Sequence, residues 1–348
     1  YNFTPPGATS VGSNFFQNAS KGWVIANVTD SGKVLFRTTN GGQTWMAYKN
    51  LPFSGGSMQF LDDTRGFVLS GEPSGMQKQA VDLYQTSDGG ATWVRKFTNN
   101  PLDPAANTSL PFSGHKSGIT FRDTSTGWVG GDTPMDGFVY FYKTTNGGVT
   151  WAQQPLTLPA GYESAWVETS TPTFFGTSAA ILPVWLGTNS GKDLFLYTTR
   201  NGGATWTAST AFARNGRNVV IISLTEALAW NESGYFMATH NAGASWSQVT
   251  PNINFGNNVP NLSFVSPSLG WALVRDFWSG GAALYRTIDG GANWTKLLNI
   301  SENTGINNIV MDPRNPDRQY ATTEQRRRHV YPKIGAGPAP AIYKSEDA

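Results

Sequence analysis

The chain is patterned by short runs in which apolar and polar residues alternate, each closed by the same polar turn. "KVLFRT", "VDLYQT", "FVYFYKT", "LFLYTT", "GYFMAT" and "ALYRT" are the runs. "TTNGGQTW" follows at position 38, then "TSDGGATW" at 86, "TTNGGVTW" at 144, "TRNGGATW" at 199, "THNAGASW" at 239 and "TIDGGANW" at 287. A seventh copy begins after "AIYKS", as "SEDA" at 345–348. Period-two alternation is the signature of a half-buried strand. A polar turn with two glycines between two such runs is a hairpin. The third position carries Asn40, Asp88, Asn146, Asn201, Asn241, Asp289 and Asp347. Asn and Asp side chains hydrogen-bond the backbone of their own turn, so these residues are predicted to be structural. The Trp that ends each complete copy is expected to wedge against a neighbouring strand.

A second repeat precedes each turn. It reads "FFQNASKGWVIA" (15–26), "FLDDTRGFVLSG" (60–71), "FRDTSTGWVGG" (121–131) and "FVSPSLGWALV" (264–274), with degenerate forms "FFGTSAAILPVW" and "SLTEALAW" and a seventh at 310–323. Each is strand, turn, strand. The intervals between turns are 48, 58, 55, 40, 48 and 58 residues, room for four short strands, and such a period marks a propeller blade. The prediction is all-β: a seven-bladed β-propeller of four-stranded antiparallel blades, one domain over 1–348. The blades run roughly 9–50, 51–100, 101–157, 158–212, 213–251, 252–299 and 300–348, with 1–8 supplying the last blade's missing fourth strand.

Composition agrees. Gly is abundant at 39, there are 13 Trp, and only 14% of residues are charged. A net charge of +2 gives no footprint for nucleic acid. With no Cys there is no disulfide and no thiolate metal site. The stretch "AAILPVWLG" is too short to span a bilayer, which needs about 20 apolar residues. The first residue is not Met, so a removed leader and an extracytoplasmic location, periplasmic or secreted, are expected. No metal and no cofactor are expected.

The turns match the pattern of the Asp-box, or BNR repeat, of β-propellers. With the "GW" second strands, residues 10–297 resemble the photosystem II stability and assembly factor family. The last blade, "MDPRNPDRQYATTEQRRRHVYPKIGAGPAPAIYKSEDA", is similar to sortilin-type bacterial proteins often labelled glycosyl hydrolases. The first resemblance implies a seven-bladed, non-enzymatic scaffold. The second leaves hydrolysis open. The Arg-Ile-Pro segment of sialidases is absent, and so is the Gly-rich opening of the xyloglucanases.

Function is expected on the face made by the loops after each second strand and by the blade-to-blade crossings. Those loops carry Asn27, Glu72, Asp132, Asp136, Arg275, Asp276, Trp278 and Glu324, then the basic run Arg326, Arg327 and Arg328 with His329 and Tyr331. Asp136, Arg275, Asp276, Trp278, the three arginines and Tyr331 are the binding candidates. An arginine cluster suits a carboxylate or phosphate. Glu72, Asp132 and Glu324 are the carboxylates a glycosidase or lyase would need. Three functions stay open: a scaffold binding a protein segment or glycan, a polysaccharide-cleaving enzyme, and a subunit of a larger assembly.

Overall fold

The computed structural model describes residues 5–29, 31–72, 75–189, 191–231, 235–255, 261–275 and 282–299, and the strands at 304–312, 315–325, 327–328, 333–334 and 342–345. All regular structure among them is strand. The first sheet is β1 (Ala8–Phe16), β2 (Gly22–Val28), β3 (Gly32–Thr38) and β4 (Met46–Tyr48), and the second is β5 (Ser57–Phe60), β6 (Gly66–Gly71), β7 (Val81–Thr86) and β8 (Val94–Thr98). Next come β9 (His115–Phe121), β10 (Gly127–Asp132), β11 (Phe141–Thr144) and β12 (Ala152–Gln153). They are followed by β13 (Trp166–Thr169), β14 (Thr173–Phe175), β15 (Ala179–Thr188), β16 (Gly191–Thr199), β17 (Thr207–Ala208) and β18 (Ala213–Arg214). The later sheets are β19 (Asn218–Ile221) to β22 (Ser247–Val249) through β20 (Ala227–Trp230) and β21 (Phe236–Thr239), then β23 (Asn261–Phe264), β24 (Gly270–Arg275), β25 (Ala282–Thr287) and β26 (Trp294–Asn299). Last come β27 (Thr304–Asp312), β28 (Asn315–Gln325) and β31 (Ile342–Ser345), with a hairpin of β29 (Arg327–Arg328) and β30 (Lys333–Ile334).

Strands pair with their sequence neighbours throughout the first, second, fifth and sixth sheets, as a four-stranded meander requires. The third and fourth groups are joined by a single pair, Asp132 opposite Glu168. In the fourth group the first strand is broken. The "FFGTS" repeat is β14, paired with Ala179–Ile181 of β15, while β13 lies on Val184–Gly187. The expected degenerate repeat covers only the second piece. Pro172 separates the two, and the chain is held there by the Ser170 amide on the Pro183 carbonyl at 3.0 Å. The segment proposed to complete the last sheet includes residues 1–4, which lie outside the described residues.

The chain divides into two compact units. One is Tyr1–Leu51, Asn231–Phe236 and Gln248–Ala348; the other is Pro52–Trp230 and Met237–Ser247. In the second unit the core lies between sheets. Phe67, Leu83, Phe97, Phe121, Tyr140 and Trp151 form one buried cluster, and Trp128, Phe141, Val167, Leu182, Phe195 and Tyr197 form another. In the first unit Trp23 and Trp271 are fully buried, and Phe255 packs edge-on against Trp294 with centroids 5.4 Å apart.

The repeated turn is built identically in its six complete copies. The first Thr donates its Oγ1–H to the Asn or Asp two residues on, at 2.8–3.1 Å. That side chain accepts the amide four residues further, at 2.8–3.0 Å. The same Thr Oγ1 accepts the second glycine's amide, at 2.7–3.0 Å. Only the acceptor oxygen is used for the amide, which is why Asn and Asp interchange. The amide of the turn's first Gly, or Ala242, donates to a carbonyl in the turn joining that sheet's first two strands. The second glycine is a close approach: a Cβ on Gly148 would lie 2.0 Å from Leu83, and one on Gly203 2.4 Å from Trp128. Both belong to the preceding sheet, so the turn packs where two sheets meet.

Candidate functional site

Strand direction decides which loops share an edge. The Ser57 hydroxyl accepts the Ile119 amide at 3.1 Å, and Gln59 Oε1 accepts the Phe121 amide at 2.6 Å. These ascending pairs set β5 and β9 parallel. Hence β6 and β10 also run alike, and the segments after Gly71 and Asp132 emerge on one edge. β13 is antiparallel to β10 and meets it at Asp132, which brings the segment before Trp166 to the same edge. The loop after β15 joins it, because Gly187 stands opposite Trp166.

A pocket of about 490 Å3 opens there, lined by Asp136, Gly161, Glu163, Trp166, Thr188 and Asn189 among others. The loop after β10 is tied to it through the Gly137 amide on the Ala165 carbonyl at 2.7 Å. Gly137 has φ +72, and a Cβ there would lie 2.5 Å from the Glu163 carbonyl oxygen. Asp136 thus faces the pocket from a loop whose close approach needs glycine. Both Glu163 oxygens accept the Gly161 amide, at 3.0 and 3.1 Å. Hydrogen bonds from its own amide and that of Gly161 hold the Glu163 carboxyl below its usual range.

Behind the pocket stands a charged cluster. Lys192 is ion-paired with Glu168, and its Nζ lies 4.2 Å from the centre of the Trp166 ring. Asp132 faces Glu168 in register and has His115 Nδ1 at 3.7 Å. Burial pushes the Asp132 carboxyl up; His115 and Lys192 oppose the rise and Glu168 adds to it. Directly opposed residues have Cβ atoms about 4.5–5.5 Å apart, so Asp132 and Glu168 are carboxylate neighbours across the strand pair.

Lys116 is the least expected feature. Its Nζ is within 2.8–3.4 Å of the carbonyls of Gln79, Phe112, Ser113 and Gly114, and 5.4 Å from the centre of the Tyr140 ring. Burial pushes its pKa down to about 7. Tyr140 pins the same crossing by donating to the Pro111 carbonyl at 2.9 Å. The lysine therefore organises the long crossing before β9 against the loop after β6.

Asp132 and Asp136 fall at this edge. Glu72 is exposed just after β6, its amide on the Ala80 carbonyl at 3.0 Å, and the carboxylate opposite Asp132 in register is Glu168. Asn27 ends in the first sheet, its amide donating to Ser10 Oγ at 2.6 Å. Arg275 closes β24, Glu324 lies near the end of β28, and Arg327 and Arg328 form β29. Asp276, Trp278, Arg326, His329, Tyr331 and Asp347 lie outside the described residues. Trp166, Glu168 and Lys192 were not legible as site residues. Their signal was the alternation in "AWVET", a strand placed just before the recognised repeat. Among the described residues no group of three or more His, Asp or Glu is placed to hold a metal ion, and no helix is long and apolar enough to cross a membrane.

No family model matches the chain, and no curated protein matches it. Solved structures do. YCF48 bound to D1 peptide is 18% identical, with 92% of each chain covered and a TM-score of 0.57. YCF48 from Cyanidioschyzon merolae is 16% identical, with 99% of this chain and 97% of that one covered and a TM-score of 0.58. An ulvan lyase of polysaccharide lyase family PL25 is 11% identical, over 99% of this chain and 93% of that one, with a TM-score of 0.55. The likeness is one of fold: an all-β, propeller-like arrangement of sheets.

Proposed function

We propose that this chain is a non-enzymatic binding scaffold that holds a protein segment at the loop edge of β6, β10 and β15. The observation that carries the reading is the open pocket beside Trp166, whose lining includes polar side chains with no partner among the described residues, Asp136 and Asn189 among them. A few convergent polar groups beside one aromatic wall favour a binding site. A fold neighbour with a bound peptide supports a segment as the occupant. In this reading the repeated turns are Asp-boxes, the blades number seven, and the protein is exported and assembles with its partner.

The test is a screen of immobilised extended peptides, followed by titration of the hits. Trp166→Ala should weaken binding about tenfold or more, the loss typical of an aromatic anchor, in a protein that circular dichroism shows still folded at the assay temperature. Hits that bind Trp166→Ala as well as the parent would remove the pocket from the reading.

The second reading is a polysaccharide-cleaving enzyme. The specific observation behind it is Asp132, raised by burial and set opposite Glu168, since acid and base roles fall to carboxyls whose environments differ. It predicts depolymerisation that both Asp132→Asn and Glu168→Gln abolish.

A further inference from the structure

We infer that the pocket beside Trp166 takes an arginine side chain, the specificity-giving residue of the segment. This rests on the segment-binding reading. The Asp136 carboxylate has no hydrogen-bond or ion-pair partner among the described residues, and Glu163 is held ionised by backbone amides. The pocket lining contains no basic residue. The adjacent base, Lys192, is engaged by Glu168 and by the Trp166 ring. The pocket therefore carries negative charge that no basic residue of its described lining neutralises.

Its walls fit a flat cation. Trp166 stands opposite Gly187 in register, and a Cβ on that glycine would lie 3.3 Å from the indole. The glycine thus lets strand backbone run close under the ring. The indole, which Lys192 already engages, closes one side of the pocket as a flat wall. A guanidinium offers five donors in a plane, and carboxylates match it in pairs. Asp136, Glu163, Thr188 and Asn189 provide oxygens around the opening. The volume of about 490 Å3 lies within the range of roughly 300–1,000 Å3 usual for small-ligand sites. An anionic sugar such as a uronate would meet two carboxylates here, so this pocket disfavours that class of substrate.

The experiment is calorimetric titration of the whole chain with three blocked tripeptides, acetyl-Gly-X-Gly-amide, where X is arginine, citrulline or glutamate. Citrulline keeps arginine's shape without its charge. The arginine peptide should bind, with citrulline weaker by about tenfold or more, a difference expected of a charge-assisted contact. Asp136→Asn should bring the arginine peptide close to the citrulline value at unchanged melting temperature, and added salt should weaken it. Equal binding of arginine and citrulline, tighter binding of glutamate, or no heat with any of the three overturns the inference. The peptide screen separates the two proposals. Segments that bind without arginine leave the scaffold standing and remove the arginine pocket. A bound arginine tripeptide with no segment hits does the reverse.

Discussion

Phe121 covers Gly127, its partner across β9 and β10, so closely that a Cβ on the glycine would stand 2.6 Å from the ring. The same pairing joins Phe16 to Gly22, Phe60 to Gly66 and Phe264 to Gly270. An aromatic ring over a strand glycine restores the packing that glycine lacks. Phe121 is also stacked on Phe67 of the preceding sheet, with centroids 3.7 Å apart.

Gly127→Ala should therefore be costly although the change is one methyl. Overpacking of this kind costs about 1–3 kcal/mol. Urea unfolding would read it directly, and a cost no larger than that of a surface Gly→Ala would mean the ring shifts freely.

In the repeated turn the hydroxyl should matter more than the acid. Thr86→Val leaves the Gly90 amide, now bonded to Thr86 Oγ1 at 3.0 Å, buried without an acceptor, which costs about 1–3 kcal/mol. Asp88→Asn keeps the acceptor and should cost less than half as much at neutral pH. The comparison fails if the two variants melt together.

Ala242 occupies the turn position that is glycine in the other five copies, with φ +56. The left-handed conformation costs a side chain about 1 kcal/mol. Ala242→Gly should accordingly stabilise the chain by a few tenths to about 1 kcal/mol, after the glycine's own unfolded-state entropy is counted. A lower melting temperature for this variant would contradict it.

Acid should loosen the turns. Burial raises the carboxyls of Asp62, Asp88, Asp123 and Asp289, but turn hydrogen bonds outweigh it and hold all four below their ordinary values. A depressed folded pKa gives stability that is present above the unfolded value near 4 and is lost as pH falls through the folded value. Stability should decline below about pH 5, and the double variant Asp88→Asn, Asp289→Asn should decline less steeply. An identical acid limb would assign the loss elsewhere.

Asp132 has the opposite sign. Its raised carboxyl means the native state binds its proton more tightly, so its charge opposes folding above the folded pKa. Asp132→Asn should be neutral or stabilising at pH 7 and gain nothing near pH 3. A loss of stability at pH 7 would show that the contact with His115 outweighs the burial.

Strands and repeated turns were legible because each is fixed by residues a few positions apart: Thr38 with Asn40 and Gly42, Phe121 with Gly127. The functional edge was legible in part. Asp132 and Asp136 could be placed because they follow a recognisable "GWVGG" strand. Trp166, Glu168 and Lys192 could not, because they meet through the cross-strand pairs Asp132–Glu168 and Trp166–Gly187, which join segments with no repeat in common. Lys116 sits in a Pro- and Gly-rich crossing whose text gives no hint of the four carbonyls around it.

The turn's first amide, bonded to the neighbouring turn of its own sheet, has an evolutionary consequence. Each copy is closed by contacts within its own short stretch, and those at 144 and 199 lean on the sheet before them. Insertions on the other edge need not disturb it. The spacing between copies ranges from 40 to 58 residues, and long inserts such as 99–114 and 154–165 fall between sheets rather than in the turns. Turns stapled locally let the opposite edge of each sheet be rewritten, so new binding specificities can be acquired without renegotiating the fold.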